Sequence, residues 1–300
     1  MKKVINIEKT DSNFEDYTLF DIETTGLSRT KDFMYMFGIC EKKGKELIYS
    51  QYYIEDEAEE KELILKVKEL LNSKTVISYN GDRFDFPFIR KKMEKYSISK
   101  VDFENIDIYR QFQKLNFFLD EPSLKAINLG KRLGFDVHDH VNQQEMPKIY
   151  KMYQELKDKE MLSKLIYHNY IDLQVLSYIY EYKESILNKI LTINNKKFKG
   201  ILKNIYLQKN YLIARLSNIE KAEINFHQNN YSITSNKDEI KIALELEEGL
   251  IENNIKAKVF KSKYENKIFK ESQNLTENFI LIIKNNKIIK ENLLLLLNLI

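Results

Sequence analysis

Two acidic side chains, Asp21 and Glu23, lie two positions apart in the alternating segment 17–24. Successive side chains of a strand point to opposite faces, so this spacing puts both carboxylates on one face. Neighbouring carboxylates repel, and burial raises the pKa of either one unless a cation compensates. Mg²⁺ and Mn²⁺ prefer oxygen ligands. The pair predicts a divalent-metal site, and the alternative is an exposed pair of strand-end acids.

A third candidate acid, Asp85, follows the short apolar segment 75–79 and the polar loop 80–83, where Pro87 indicates the first turn of a helix. Ligand sites gather at strand-to-helix junctions beside a sheet. Asp85 is therefore a candidate ligand, although helix capping alone would also explain an aspartate here. Asp82 competes for the same role, but aspartate is common in turns for local reasons.

A polar pair, His168 and Asp172, falls within the apolar stripe of a predicted helix at 159–188. Burying such groups without partners costs about 1–3 kcal/mol or more. Four residues apart, the two side chains lie about 40° apart around the helix. They either bond each other or face a common site. Tyr167 lies about 140° from Asp172 and faces elsewhere on a regular helix.

The elements that must position these residues follow an α/β pattern in the first part of the chain. Turn-bounded apolar runs predict strands, and apolar spacing of three and four predicts helices. Strands are expected at 17–24, 34–41, 46–54, 75–79 and 105–109, and helices at 56–72, 123–133, 144–156 and 159–188. The Lys42–Lys45 turn indicates a hairpin. The order predicts a mixed sheet flanked by helices.

The pattern changes beyond residue 190, which predicts a domain at 1–190 and a smaller, basic α+β accessory domain at 191–300. A helix is expected at 197–219, with short strands near 222–234, 240–247, 256–261 and 279–290 and a hairpin turn at Asn285-Asn286. Lysines and aromatics interleave at 256–270. This segment is either a surface for phosphates and unpaired bases or an edge strand protected by lysines.

The composition excludes several classes of protein. One cysteine in 300 residues excludes an internal disulfide framework and a cysteine-based zinc site. His138 and His140 have no third or fourth ligand candidate nearby, which argues against zinc there. No secretory signal or run of about 18 apolar residues occurs. We therefore expect a cytoplasmic protein without a membrane partner.

Taken together, the motifs resemble those of a known family. Asp-Ile-Glu-Thr-Thr-Gly from Asp21, Asn80 with Phe84-Asp85, and His168 with Asp172 resemble the three exonuclease motifs of the DEDD (DnaQ-like) superfamily, which has a ribonuclease H-like fold. The resemblance covers about residues 15–185. The wider stretch is most similar to the bacterial predicted-exonuclease branch called YprB-like, on the segments Tyr35-Met36-Phe37-Gly38, Tyr79-Asn80-Gly81, Asp107 with Arg110, and Ser123-Leu124-Lys125.

The resemblance implies a 3′–5′ exonuclease that acts on single-stranded DNA or RNA ends. Asp21, Glu23, Asp85 and Asp172 would be the ligands of two Mg²⁺ or Mn²⁺ ions. In that superfamily one ion activates the attacking water and the other stabilises the leaving 3′ oxygen. Asn80, Arg110 and Tyr167 are the candidate substrate contacts, although Arg110 is equally explained as a basic residue at a helix start.

The general base departs from the family pattern. One branch places Tyr four residues before the last Asp and another places His five before it, whereas here His168 is four before and Tyr167 five before. We favour His168 because it shares a helix face with Asp172 and an ordinary histidine pKa of about 6.5 suits proton transfer at neutral pH. Tyr167 would orient water. The departure also leaves the alternative of a catalytically weak or inactive nucleic-acid-binding module. A structure-selective endonuclease is a further alternative, since the same metal site could support it.

Overall fold

The computed structural model describes residues 1–119, 121–136, 145–273, 275 and 278–300, and His138 and His140 lie outside this part of the chain. The chain divides into two compact units. The first comprises Met1–Phe112 and Pro122–Tyr182, and the second comprises Gln113–Glu121 and Lys183–Ile300. The predicted division into domains 1–190 and 191–300 stays a prediction about what folds independently.

The first unit is built on a six-stranded mixed sheet of order β1-β4-β3-β2-β5-β6, whose strands are β1 (Lys2–Lys9), β2 (Tyr17–Thr24), β3 (Met34–Lys43), β4 (Glu46–Tyr53), β5 (Thr75–Ser78) and β6 (Glu104–Asp107). Strands β1 to β4 pair antiparallel in that sheet order, whereas β5 lies parallel to both β2 and β6. The central position of β2 puts its carboxyl end beside the loop that follows β5.

The helices of this part of the chain are α1 (Glu60–Leu71), α2 (Asp85–Lys95), α3 (Ile108–Leu119), α4 (Ala126–Arg132), α5 (Met146–Leu156) and α6 (Lys159–Tyr182). Helix α3 begins in the first unit, but its residues from Gln113 onward belong to the second. Helix α1 packs against β3 and α2, and α6 packs across β2, β3 and β4 and against α4 and α5. The first unit is therefore an α/β fold with a mixed sheet and flanking helices.

The alternation of β2 decides which side chains enter the core. Phe20 and Ile22 are buried in an apolar cluster with Leu63, Val67 and Phe86. Because side chains alternate, the acids on either side of Ile22 project to the opposite face, where α6 packs. One strand thus contributes to the apolar core and carries the acids.

Most predicted elements of the first unit are present. The hairpin of β3 and β4 is confirmed, with Gly44 in the turn at φ 58°. Three details differ. Strand β1 was not predicted, because an edge strand exposed along most of its length has weak apolar alternation. Helix α3 was also missed, and the helix expected from Ser123 begins at Ala126.

The second unit is mainly β. Besides the C-terminal part of α3, its described residues form the helices α7 (Asn188–Leu191) and α8 (Lys290–Leu299). A six-stranded antiparallel sheet has the order β10-β11-β12-β9-β8-β7, and a four-stranded antiparallel sheet has the order β13-β14-β15-β16. The strands are β7 (Thr192–Asn194), β8 (Lys199–Gln208), β9 (Tyr211–Asn218), β10 (Asn225–His227), β11 (Tyr231–Ser235), β12 (Glu239–Glu245), β13 (Glu247–Ile251), β14 (Ile255–Lys261), β15 (Phe279–Lys284) and β16 (Lys287–Ile288).

The helix predicted at 197–219 is wrong, because β8 and β9 form a hairpin there. The register shifts between Leu202 and Asn204, which inserts one residue into β8. Leu202 pairs with Leu216 and Ile205 pairs with Ala214, so the bulge gives two core-facing residues a spacing of three. That spacing imitates a helix.

The edge-strand interpretation of the segment 256–270 is wrong, whereas the interpretation as a surface for phosphates and unpaired bases stays a prediction. Strand β14 lies between β13 and β15, so it is not an edge strand. Phe260 and Phe269 are buried and cannot stack on a base. The predicted turn at Asn285-Asn286 is confirmed: both residues have positive φ, and they join β15 to β16.

None of the helices in the described part of the chain is long and apolar enough to span a membrane.

Candidate active site

The first two acids lie on strand β2, as the alternation predicts. Glu23 is buried and Asp21 is half-buried. The hydroxyl of Tyr35, from β3, donates to Glu23 Oε2 at 3.5 Å. The alternative of two solvent-exposed strand-end acids therefore does not describe this pair.

The loop that follows Glu23 is anchored by a buried ion pair. Lys92 Nζ lies 3.1 Å from Glu60 Oε1, and both side chains are almost completely buried. Lys92 also donates to the backbone carbonyl of Asp32, while Glu60 Oε1 accepts the N–H of Met34 at 2.8 Å. These bonds tie the far end of loop 25–33 to α1 and α2, which fixes the chain direction beside the acids.

Asp85 reaches β2 from the first turn of α2. It is buried, and its Oδ1 accepts the backbone N–H of Ile22, the residue between the first two acids, at 3.3 Å. The competing Asp82 is engaged elsewhere: its carboxylate accepts Asn105 Nδ2 at 2.8 Å and lies 2.9 Å from the Arg110 guanidinium. Asp85, rather than Asp82, lies against the first two acids.

Helix α6 brings His168 and Asp172 to the same place. His168 Nε2 lies 3.4 Å from Asp172 Oδ2 and 3.9 Å from Glu23 Oε1, and the imidazole is 2% exposed. Glu23, His168 and Asp172 each offer a ligand atom within 4.8 Å of the other two. The histidine thus faces two carboxylates from separate elements.

The electrostatics of this cluster are unfavourable for four ionised acids. Burial first, and then the charges of Asp85, Glu23 and Asp172, raise the pKa of Asp21 well above its usual range. Burial and the charges of Asp172 and Asp85 do the same for the pKa of Glu23. Burial raises the pKa of Asp85 to about 7, opposed by N–H groups of Asp85 itself and Ile22. The cluster is strained by desolvation and by mutual repulsion.

This donor set fits divalent cations. Oxygen ligands from carboxylates are those that Mg²⁺ and Mn²⁺ bind best, and opposite charge relieves both causes of the raised pKa values. The acids that would hold the ions are Asp21, Glu23, Asp85 and Asp172. Their assignment as metal ligands stays a prediction.

Two buried amides were missed by the sequence analysis. Asn169 on α6 donates from Nδ2 to Asp21 Oδ2 at 2.8 Å, and Gln51 on β4 donates from Nε2 to Asn169 Oδ1 at 3.1 Å. Both side chains are fully buried. The sequence signal that could have identified them is a polar residue within an apolar segment: Asn169 in the predicted helix 159–188 and Gln51 in the predicted strand 46–54.

The candidate substrate contacts Asn80 and Arg110 lie in one network. Asp107 at the end of β6 accepts the backbone N–H groups of Asn80, at 2.9 Å, and Asp82, at 3.2 Å. The half-exposed Arg110 guanidinium lies 3.9 Å from Asp107 and pairs with Asp82. Asn80 has φ 64°, so the network holds a left-handed turn of the loop after β5.

Tyr167 lies apart from the acids. It is 40% exposed and lines a surface cavity of about 650 Å³ with Val4, Lys164 and Tyr170 among others. The structure therefore brings together Asp21, Glu23, Asp85, His168 and Asp172, but not Tyr167, as the angle of about 140° from Asp172 predicts.

Comparisons with known proteins concern the first unit above all. The family model of the RNase H superfamily matches residues 18–183. The DNA polymerase III PolC-type of Mycoplasma pneumoniae is 28% identical over 161 residues, which are 46% of this chain and 11% of that protein. That of Ureaplasma parvum is 25% identical over 138 residues, or 38% and 10%. The chain thus spans about a tenth of the length of these curated relatives.

Solved structures also resemble the chain. The family B DNA polymerase from Pyrobaculum calidifontis covers 61% of this chain over 29% of its own, with 13% identity and a TM-score of 0.45. E. coli exonuclease I in complex with a dT13 oligonucleotide covers 74% of this chain over 55% of its own, with 13% identity and a TM-score of 0.36.

Proposed function

The chain belongs to the RNase H superfamily, and on that premise we propose that it is a divalent-metal-dependent 3′–5′ exonuclease of the DEDD group, most similar to its YprB-like branch. Its substrates are single-stranded ends of DNA or RNA. The observation that carries the proposal is the convergence of four acids and one histidine from β2, α2 and α6 on one cluster. A cluster of mutually repelling acids opposes folding when no cation is bound, but it is suited to bind two divalent cations. Such a cluster is typical of a catalytic metal site.

The carboxylates of Asp21, Glu23, Asp85 and Asp172 hold Mg²⁺ or Mn²⁺. When bound, two such ions stabilise the negative charge that develops on the scissile phosphate and its leaving oxygen, and make water a better nucleophile. The N–H of Ile22 orients Asp85, and the Asn169 amide orients Asp21. These bonds fix the oxygens before the substrate arrives.

His168 accepts the proton of the attacking water. In the hydrolysis, a water oxygen forms a bond to phosphorus and one proton of that water passes to His168 Nε2. The bond between phosphorus and the 3′ oxygen breaks with its electron pair on the oxygen, which takes a proton from solvent. The imidazole is held between Glu23 and Asp172, whose negative charges stabilise the imidazolium that forms. Tyr167, on another face, has no direct part in this step.

Three residues around the acids are proposed substrate contacts. Leu27, in the loop after β2, is 83% exposed and offers an apolar surface to a terminal base. The Arg110 guanidinium has donors beyond those engaged by Asp82, which suit a backbone phosphate. Asn80 lies in the loop between β5 and α2, in the same network as Arg110 and ahead of Asp85 in the chain. Its side-chain amide suits the sugar or phosphate of the bound nucleic-acid strand.

The test uses the full chain with 5′-labelled single-stranded DNA and RNA, in Mg²⁺, Mn²⁺ or EDTA. We expect a ladder of progressively shortened products with either ion and none with EDTA. Asp21→Asn should abolish the ladder while the far-UV spectrum is unchanged, and Asp238→Asn, in the second unit, serves as the matched control. The absence of products with both ions would reject the proposal, and equal activity in Asp21→Asn would indicate a contaminating nuclease.

Two other activities have distinct readouts in the same assay. Binding of oligonucleotides without turnover would indicate the nucleic-acid-binding module. Cleavage of a circular single strand, which has no end, would indicate an endonuclease. The position of His168 against both Glu23 and Asp172 favours catalysis over binding without turnover.

A further inference from the structure

The amide of Asn169 engages one oxygen of a candidate metal ligand. Its Nδ2 donates to Asp21 Oδ2 at 2.8 Å, and the side chain is completely buried. Asn169 belongs to none of the sequence motifs, although it follows His168 directly. A buried hydrogen bond to a charged acceptor is among the stronger kinds, so this oxygen is firmly oriented.

The direction of the Asn169 amide is fixed from behind. Gln51 Nε2 donates to Asn169 Oδ1 at 3.1 Å and to the carbonyl of Ile166 at 2.7 Å. Because Asn169 Oδ1 is the acceptor of this bond, the Nδ2 group must face Asp21. The chain of contacts runs from β4 through α6 to β2, and it sets the orientation of the Asp21 carboxylate.

Strand β3 leaves room for this amide at one position. A Cβ atom on Gly38 would lie 2.1 Å from Asn169 Oδ1 and 2.7 Å from Leu173 Cδ1. Real Cβ atoms essentially never approach that closely, so the glycine is required for the observed packing. Gly38 also pairs directly with Asp21 in the sheet register. The strand beside the acid is thus shaped around Asn169.

We propose that Asn169, oriented by Gln51, is a positioning residue that makes Asp21 present a single free oxygen, Oδ1, to a bound cation, so that the site selects Mg²⁺ and Mn²⁺ over Ca²⁺. This inference rests on the metal site of the proposed function. Ca²⁺ accepts six to eight oxygens and commonly chelates both oxygens of one carboxylate, whereas Mg²⁺ demands octahedral geometry at shorter distances. Engaging Oδ2 opposes the chelating mode that favours Ca²⁺.

A second ligand is restricted in the same way. Asp85 Oδ1 accepts the backbone N–H of Ile22, so this acid also has one oxygen engaged by the protein. The backbone donor cannot be removed by substitution, but the Asn169 donor can. Asn169 is therefore the residue at which metal selectivity is open to a test.

The test measures cation binding to the full chain without substrate. Free Mn²⁺ is counted by electron paramagnetic resonance, and Ca²⁺ is titrated as a competitor. In Asn169→Leu we expect Mn²⁺ to bind about 10–100-fold more weakly, as for other residues that orient ligands, and the ratio of the Ca²⁺ to the Mn²⁺ dissociation constant to fall. Gln51→Leu should shift it in the same direction by less, and Asn128→Leu, an exposed asparagine on α4, should leave it unchanged.

The outcomes separate this inference from the proposed function. If the wild type binds no Mn²⁺, the metal site and the proposed function both fail. If the wild type binds Mn²⁺ and Asn169→Leu keeps the same ratio, the positioning role is rejected while the proposed function stands. A fall in melting temperature without a change in the ratio would also reject it, since that result describes a purely structural residue. Should Asn169→Leu not fold, Asn169→Ser provides the same comparison with a shorter polar side chain.

Discussion

The two units treat their carboxylates in opposite ways. In the first, Glu23 and Asp85 are buried beside other acids, and burial raises their pKa values. In the second, acids are exposed and paired with bases: a hydrogen bond from Lys284 lowers the pKa of Glu271, and Glu291 lies 3.2 Å from Lys270. The first unit also has exposed ion pairs, such as Lys2 with Glu55, so the contrast lies between its buried cluster of acids and the exposed, paired acids.

Exposed paired acids and buried repelling acids differ in what they contribute to the protein. Exposed ion pairs contribute about 0–1 kcal/mol each and are replaceable. Buried acids that repel each other oppose folding, so they persist only where something else requires them. The raised pKa values of Asp21, Glu23 and Asp85 therefore agree with the proposed metal site in the first unit.

The largest expected effect is on catalysis by Glu23→Gln. The exchange keeps the shape but removes one charge from the cluster, so we expect the exonuclease rate to fall about 10³-fold, or about 4 kcal/mol. Relief of repulsion should raise the melting temperature of the metal-free protein, by about 2–4 °C for each kcal/mol gained. Single-turnover kinetics and thermal unfolding in EDTA measure the two effects.

The matched change in the second unit is Glu271→Gln, which removes a carboxylate paired with Lys284. Its rate should equal that of the wild type. A loss of both rate and stability in Glu23→Gln would contradict the argument, because that result would describe a carboxylate that supports the fold.

The next effect concerns pH. Burial raises the pKa of Asp85 from 3.8 to about 7, and the pKa values of Asp21 and Glu23 are raised too. These three acids therefore bind more protons in the folded protein than in the unfolded chain between about pH 4 and 7. In EDTA, its free energy of unfolding should fall as pH rises through this window, by up to about 1.4 kcal/mol per unit of raised pKa.

Urea unfolding at a series of pH values measures this slope. Asp85→Asn should flatten it, and Mg²⁺ should reduce it because bound cations favour the ionised acids. Identical slopes in the wild type and Asp85→Asn would show that other groups control the pH dependence. Glu271 of the second unit, whose pKa is lowered by Lys284, contributes the opposite sign at lower pH.

The sequence predicts the first unit better than the second, for reasons visible in particular residues. The alternation around Phe20 and Ile22 has no irregularity, so strand β2 and the face of its acids follow directly. In β8, the extra residue between Leu202 and Asn204 breaks the alternation and produces helical spacing. A bulge is defined by how a strand pairs with its partner, and a local sequence pattern does not show which strand that partner is.

The residues of the candidate site also differ in how well the sequence predicts them. Acids and a histidine are conspicuous in a sequence, and the resemblance to the exonuclease motifs singles out Asp21, Glu23, Asp85, His168 and Asp172 as candidates before their geometry is known. The amides of Gln51 and Asn169 carry no charge, and their importance follows from contacts across 118 positions of the chain. Residues that orient ligands are found from packing, not from composition.

A smaller effect is expected from a pair of glycine substitutions. Gly38→Ala puts a methyl group against Asn169 and Leu173, which should cost about 1–3 kcal/mol of stability and lower Mn²⁺ affinity. Gly249→Ala, in the second unit, is the control: among the described residues no heavy atom lies within 4 Å of the added carbon. It should be neutral or stabilising by up to about 1 kcal/mol. Equal stability and equal Mn²⁺ affinity in the two variants would contradict the close packing at Gly38.

The smallest effect is the coupling between Arg215 and Glu239 in the second unit. The guanidinium lies 2.8 Å from the carboxylate, and both side chains are 40% exposed. Solvent screening limits such pairs, so a double-mutant cycle of Arg215→Met and Glu239→Gln should give about 0.2–1 kcal/mol, decreasing with salt. Urea unfolding at two ionic strengths measures it. A coupling of several kcal/mol would erase the contrast between the units, because an exposed pair would then matter as much to the fold as the buried acids do.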